Sequence, residues 1–296
     1  MKIATAAYPL DFLTSWAQYE DKLHAWIDEA ASHGADLLVF PEYGAMELAT
    51  LAGRNVAADL EQSLHAVSER LPDADALHSH LSRQFGVHIL AASAPSFHPP
   101  KPANGRPVNR ARFFTPAGRI GVQDKQIMTR FEAETWNVVP GGGLELFDTT
   151  LGKIGILICY DSEFPLLGRA LTDAELILVP SVTDTLHGYS RVRIGSQARA
   201  LENQCVTAMS SVVGAADWSE AVDISVGAGG IFGPPDQGFP ETGVFAAGQL
   251  NTPGWPYAEV DLSAVAQVRA DGGVLNRRDW SCQEGRSQAA PVTALK

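Results

Sequence analysis

The sequence predicts a layered α/β fold in which helices pack outside sheets. Two observations carry that reading. Short apolar strand segments alternate with amphipathic helical segments through the first two-thirds of the 296 residues. Several of the strand segments are also apolar on both faces, as strands in the middle of a layered fold must be. The composition permits a large core, with 45% hydrophobic and 19% charged residues. No internal repeat, flexible linker or composition shift divides the chain, so a single domain is expected.

Residues 2–7 read as the first strand, and residues 15–33 as a helix. Trp16, Tyr19, Leu23, Trp26, Ile27 and Ala30 recur in it at three- and four-residue spacing, and His33-Gly34 supplies its stop. Leu37-Leu38-Val39-Phe40 is a buried strand ended by Pro41. Two helices follow at about 59–70 and 74–85, then a strand at 87–93. Residues 108–124 form a hairpin about the turn Pro116-Ala117-Gly118. Strands at 145–148 and 153–159 meet at Leu151-Gly152, and a short helix at 165–171 leads to the strand 176–179. A helix at 191–203 and a strand at 205–213 come next. Gly and Pro interrupt the later strands, near 229–232, 243–247 and 257–260.

The charge excludes some partners. A formal net charge of −12 with no Lys/Arg cluster leaves nothing to replace phosphate counterions, so nucleic acid is not expected. No segment reaches the roughly 18 to 20 apolar residues that span a bilayer, and no basic, leader-like start is present; neither a membrane nor export is expected. Three cysteines, Cys159, Cys205 and Cys282, are an odd and sparse set that fits a reducing cytoplasm better than a disulfide framework.

Three reactive side chains share one placement, just past an apolar strand: Glu42 after residues 37–41, Lys125 after 120–124, and Cys159 after 154–158. Strand ends are where layered α/β folds gather ligands. Singly, each has a plainer reading. A Glu or Lys after a strand is usually solvated, and a lone Cys is usually a small buried hydrophobe. Other patterns point elsewhere or nowhere. Gly141-Gly142-Gly143 lacks the Gly-Lys-Ser/Thr ending of a phosphate loop, no Gly-x-Ser-x-Gly elbow appears, and the eight histidines show no His-Glu-x-x-His.

Together the three resemble a family. Phe40-Pro41-Glu42, Asp124-Lys125 and the run Gly155-Ile156-Leu157-Ile158-Cys159-Tyr160-Asp161-Ser162-Glu163-Phe164-Pro165 are similar, in order and approximate spacing, to the three signatures of the nitrilase superfamily of carbon–nitrogen hydrolases. The likeness runs to about residue 260 and includes Pro140-Gly141 and Ala198-Arg199-Ala200-Leu201-Glu202-Asn203. It implies a four-layer αββα sandwich over residues 1–270, with residues 271–296 as a C-terminal tail at a subunit interface. It also implies a homodimer or higher homo-oligomer, to which the 191–203 helix would contribute, and no metal or organic cofactor.

The chemistry that the resemblance implies explains the residue types. A thiol of pKa about 8.5 is only a few per cent ionised at neutral pH, so Cys159 needs a base, and Glu42 fills that role. Lys125 and the backbone N–H of Tyr160 would stabilise the oxyanion. Family members often carry a second glutamate beside the Lys; of Glu132 and Glu134, counting back from Pro140-Gly141 favours Glu134. Nitrilases proper usually have Trp-Glu after the cysteine, whereas Tyr160-Asp161 looks more like amidase-type branches, and Glu163 stands where branches acting on carboxylate-bearing substrates place an Arg. The loop at 181–189, with Thr183, Asp184 and His187, is the expected site of substrate selection. The leading expectation is an amidase acting on a small linear amide or N-carbamoyl compound. Its rivals are a nitrile hydrolase, a Cys–His hydrolase with His187 as base, and a catalytically silent binding or assembly protein.

Overall fold

The computed structural model describes residues 1–98, 104–286 and 288–295. Two sheets stack face to face with helices outside them. In the first sheet the strands run in the order Tyr257–Glu259, Lys2–Thr5, Leu37–Val39, His88–Leu90, Val108–Phe114, Ala94–Ser96, with Ile120–Asp124 also paired to Val108–Phe114. The second follows the order Val244–Ala247, Gly230–Phe232, Val206–Ala215, Leu176–Ser181, Gly152–Ile156, Leu146–Thr149, with Ala7–Pro9 and Ile224–Ser225 also on Val206–Ala215. Each sheet has a parallel centre: Lys2–Thr5, Leu37–Val39 and His88–Leu90 in one, Gly152–Ile156, Leu176–Ser181 and Val206–Ala215 in the other.

The period-two rule for strands builds the layers. Leu38 and Ile89 face outward into a core with Tyr19, Leu23 and Ile27 of the helix Trp16–Ser32 and Leu64, Val67 and Leu71 of the helix Leu60–Phe85. Their neighbours Leu37, Val39 and Leu90 face inward, against Ile154, Ile156 and Leu178 of the second sheet. That second core continues through the sheet to Tyr189, Val192 and Ala200 of the helix Leu186–Asn203, completing an αββα sandwich. None of the described helices is long and apolar enough to cross a membrane.

The structure departs from the sequence expectation in three places. The first strand divides at Ala6: residues Lys2–Thr5 lie in one sheet and Ala7–Pro9 in the other. Ala6 ties the sheets together, its N–H donating to Val39 O and its carbonyl accepting from Ser211 N. The helices expected at 59–70 and 74–85 are one, Leu60–Phe85, with Pro72 inside it. A Pro in a helix interior costs about 3 kcal/mol, but Leu64, Val67, Leu71, Ala74, His78 and Leu81 bury one continuous face, which outweighs that cost. Asp59 caps the start, accepting from Glu61 N and Gln62 N. The helix expected at 191–203 starts earlier, at Leu186, because the Thr185 side chain accepts from Gly188 N.

Candidate active site

The parallel strands Leu37–Val39 and Gly152–Ile156 and the hairpin strand Ile120–Asp124 end at one edge, and the residues that follow them meet there. Lys125 Nζ lies 2.7 Å from Glu42 Oε1 and 2.5 Å from Glu132 Oε2. All three side chains are buried, Lys125 and Glu42 to 1% exposure each. The Cys159 thiol donates to the Val182 carbonyl, 3.6 Å from Sγ, and the Glu42 carboxylate is near enough to act on it electrostatically. Val182 N in turn donates to Glu42 Oε2 at 3.1 Å.

Local conformation aims these groups. Cys159 opens a 3-10 turn, Cys159–Glu163, with a left-handed φ of 49°, and Tyr43, next to Glu42, has φ 53°. Such values are strained for residues with a side chain and persist where the surroundings enforce them. Asp161 holds the turn: its carboxylate accepts from Ile158 N, Gln126 N and Ile127 N, so it ties the cysteine turn to the segment after Lys125. The helix Leu186–Asn203 backs the same turn, with Arg199 Nη1 donating to Ser162 O at 3.0 Å. Behind Lys125, Arg110 makes a two-pronged pair with Asp124. Gly141 packs so closely on Asp124 that a β-carbon there would fall 2.2 Å from Asp124 Cβ, which is why that position carries no side chain.

The second glutamate is corrected by one helical step. Glu132, not Glu134, sits against Lys125; Glu134 is exposed and pairs with Arg130 at 2.8 Å. Both lie on the short helix Arg130–Glu134, where residues two apart point to different sides. Glu132 is the third residue of a capping box in which Thr129 N and Thr129 Oγ1 each donate to its Oε2 at 2.9 Å. The sequence carried this signal as Thr129-Arg130-Phe131-Glu132.

Electrostatics separate the two buried carboxylates. Burial, with the neighbouring charge of Glu132, pushes Glu42 above the ordinary carboxylate range, although Lys125 opposes it. Burial also pushes Glu132 up, but the charge of Lys125 and the donors around it win, and Glu132 falls below that range. Burial alone would lower Lys125; its two carboxylate neighbours more than reverse this and keep it charged. Burial and the charge of Glu42 hold the Cys159 thiol well above its ordinary value, so at rest it is protonated. A protonated thiol next to a carboxylate of raised proton affinity, beside a fixed ammonium, is an arrangement able to ionise sulfur only when an electrophile arrives.

The cluster floors a cavity of about 480 Å³. Of the residues expected to contact substrate, Tyr160, Thr183 and Asp184 line it. Thr183 Oγ1 is engaged in holding Val226 O at 2.7 Å. His187 is corrected: the early helix start turns it to solvent, and it does not line the cavity. No histidine among the described residues does, which removes the Cys–His arrangement. Sequence reasoning did not single out Asn109, Tyr43, Arg191 or the segment 220–224 that overhangs the mouth. Among the described residues no His/Cys/Asp/Glu group could hold a metal ion.

The carbon–nitrogen hydrolase family model matches residues 2–270. The chain belongs to the carbon–nitrogen hydrolase family. This carbon–nitrogen hydrolase is 32% identical over 282 residues to the probable hydrolase YhcX of Bacillus subtilis (strain 168), covering 94% of this chain and 53% of that one. It is also 32% identical over 147 residues to the deaminated glutathione amidase of Yersinia enterocolitica, covering 45% and 50% of the two chains. The match thus spans about half the length of these curated relatives. Among solved structures, a carbon–nitrogen hydrolase from Helicobacter pylori G27 superposes with a TM-score of 0.72 at 20% identity, over 97% of this chain and 94% of that one. The fold is that of the nitrilase superfamily.

Proposed function

We propose that this chain is an amidase-type hydrolase that cleaves a small linear amide or N-carbamoyl compound through a thioester on Cys159. The single observation that carries the reading is the buried cluster on the floor of a cavity, with Lys125 Nζ 2.7 Å from Glu42 and 2.5 Å from Glu132 and with Cys159 lining the same cavity. Amidase chemistry in the Yersinia relative and Tyr160-Asp161 after the cysteine support the branch.

The steps follow from the geometry. As Cys159 Sγ attacks the carbonyl carbon, its proton passes to Glu42. The developing oxyanion is stabilised by Lys125 Nζ and the Tyr160 N–H; one such donor is worth about 3 kcal/mol of barrier. Glu42 then protonates the leaving nitrogen, the C–N bond breaks, and the acyl group remains on sulfur. Water attacks the thioester, giving its proton to Glu42, and the acid departs as the thiol takes that proton back. Glu132 holds Lys125 in place throughout and keeps its charge. The subunit pairing belongs to the same proposal: Leu186, Ile194 and Leu201 lie exposed along the outer helix, a surface suited to a second copy.

The test is intact-protein mass spectrometry on a panel of amides, carbamoyl compounds and nitriles, with ammonia release followed in parallel. An adduct on the wild type that is absent in Cys159→Ala is the expected result, and Glu42→Gln, which has lost the base for both acylation and deacylation, should release no ammonia. Turnover surviving in Cys159→Ala would sink the reading.

A further inference from the structure

The cluster holds two carboxylates against one ammonium, yet the proposed reaction asks only Glu42 to take and return a proton. What keeps Glu42 aimed is a residue outside the strand ends. Asn109 lies in the strand Val108–Phe114 and is fully buried. Its amide nitrogen is 2.9 Å from Glu42 Oε1 and 3.3 Å from Glu132 Oε1, so its two hydrogens point at the two carboxylates. Its backbone carbonyl accepts the Lys125 N–H at 2.9 Å. One residue therefore touches all three charged members of the cluster.

The amide can sit only one way round. The Ser93 hydroxyl donates to Asn109 Oδ1 at 2.7 Å, and the same Ser93 Oγ accepts Tyr43 N at 3.1 Å. A flipped amide would turn Oδ1 toward two carboxylate oxygens and its N–H₂ toward a hydroxyl already committed as a donor. The contacts to the two carboxylates would then be repulsive, at a position that is fully buried. Glu132 has other donors to orient it: Lys125, Tyr43 Oη at 2.9 Å and both Thr129 groups. Glu42 has fewer. Apart from Lys125 and Val182 N, the Asn109 amide is the donor that fixes the plane of its carboxylate beside the thiol.

We propose that Asn109, anchored by Ser93, is the positioning residue for Glu42: it shares Glu42 Oε1 with Lys125 and fixes the orientation of that carboxylate beside Cys159. The inference rests on the proposed role of Glu42 and Cys159. Removing the amide loosens the Glu42 carboxylate and takes away a donor that favours its charged form, so its proton affinity rises.

The experiment uses the full chain with Asn109→Ala and Ser93→Ala, each checked for folding by its melting transition. Two readouts are taken: the rate of Cys159 alkylation by iodoacetamide as a function of pH, followed by mass spectrometry, and kcat and KM on an amide that the wild type turns over. Asn109→Ala should lower kcat about 10- to 100-fold with KM within about 3-fold, and move the acid limb of both profiles to higher pH. Ser93→Ala, which keeps the amide but removes the hydroxyl that anchors it, should show the same changes at about 3- to 10-fold. A folded Asn109→Ala with wild-type kcat and unmoved pH limbs overturns the proposal. Should Asn109→Ala not fold, Ser93→Ala decides: an unchanged kcat and pH limb there overturns it equally. Wild type that does not label at Cys159, or Cys159→Ala that still turns over, would instead mark failure of the underlying reading.

Discussion

The floor and the mouth of the cavity are built in opposite ways. At the floor, Glu42, Lys125, Glu132 and Cys159 are all at most 4% exposed, and their partners stand on strands, a capped helix and a tight turn. At the mouth, Arg130, Asp184, Glu220, Asp223 and Ile224 are exposed and stand on loops, a helix end or the two-residue strand Ile224–Ser225. A buried charge cluster is tolerated only where every charge is paired and hydrogen-bonded, so the floor has little freedom to vary. The mouth is solvated, and its charges can change at little cost to the fold. On the proposed reading the difference separates two tasks: the floor would fix which bond is attacked, and the mouth which molecule is admitted.

The largest expected effect comes from breaking the floor at its one cation. Lys125→Met leaves Glu42 and Glu132 buried without a counter-charge, and breaking a buried pair in this way costs about 3–5 kcal/mol. Thermal melts should show that loss growing with pH between 5 and 8. Without the ammonium both carboxylates have proton affinities raised above their unfolded values, so the stability they retain is present at low pH and disappears as they are forced to ionise. Activity should fall at least about 100-fold through loss of the oxyanion donor. A Lys125→Met protein as stable as wild type at pH 8 would mean that the floor is wetter than its burial implies.

The next effect tests the boundary between floor and mouth within one short helix. Glu132→Gln keeps the shape but removes a charge from Lys125, and should lower kcat about 100-fold while leaving KM nearly unchanged. Glu134→Gln, two residues on, removes only a solvated pair with Arg130, and should change kcat and stability by less than about 0.5 kcal/mol. Steady-state kinetics on the two variants side by side check this. Equal effects would dissolve the distinction.

That pair also marks how far the sequence could be read. Glu42, Lys125 and Cys159 were legible because a reactive side chain directly after an apolar run must end up at a strand terminus, and parallel strands collect their termini. The second glutamate was misassigned by counting along the chain, since counting ignores that the helix turns by 100° per residue and only one of the two carboxylates can face inward. The local capping pattern starting at Thr129 distinguishes them. Asn109 was not legible: it sits as a polar residue inside a strand, and its meaning depends on Glu42 and Ser93, 67 and 16 residues away. His187 was misplaced because Thr185 caps a helix where a loop was expected, which turned a supposed pocket residue to solvent.

The smallest effect belongs to the mouth. Ile224 is 56% exposed at the rim, in the segment that overhangs the cavity from beside the Val206–Ala215 strand. Its side chain lies outside both cores, so Ile224→Ala should leave the melting temperature unchanged within about 1 °C. It should also leave kcat alone, because an exposed rim side chain does not position the buried Glu42–Lys125–Cys159 cluster. What it should change is KM, by about 3- to 10-fold, the worth of roughly 1 kcal/mol of apolar contact. The change should be confined to substrates whose chain reaches from the thiol to the rim. A series of straight-chain amides of increasing length reads this directly: the ratio of wild-type to variant KM should stay at one for the shortest members and rise beyond a threshold length. A drop in kcat across the whole series would show instead that the rim is coupled to the floor, and that the two regions act as one device.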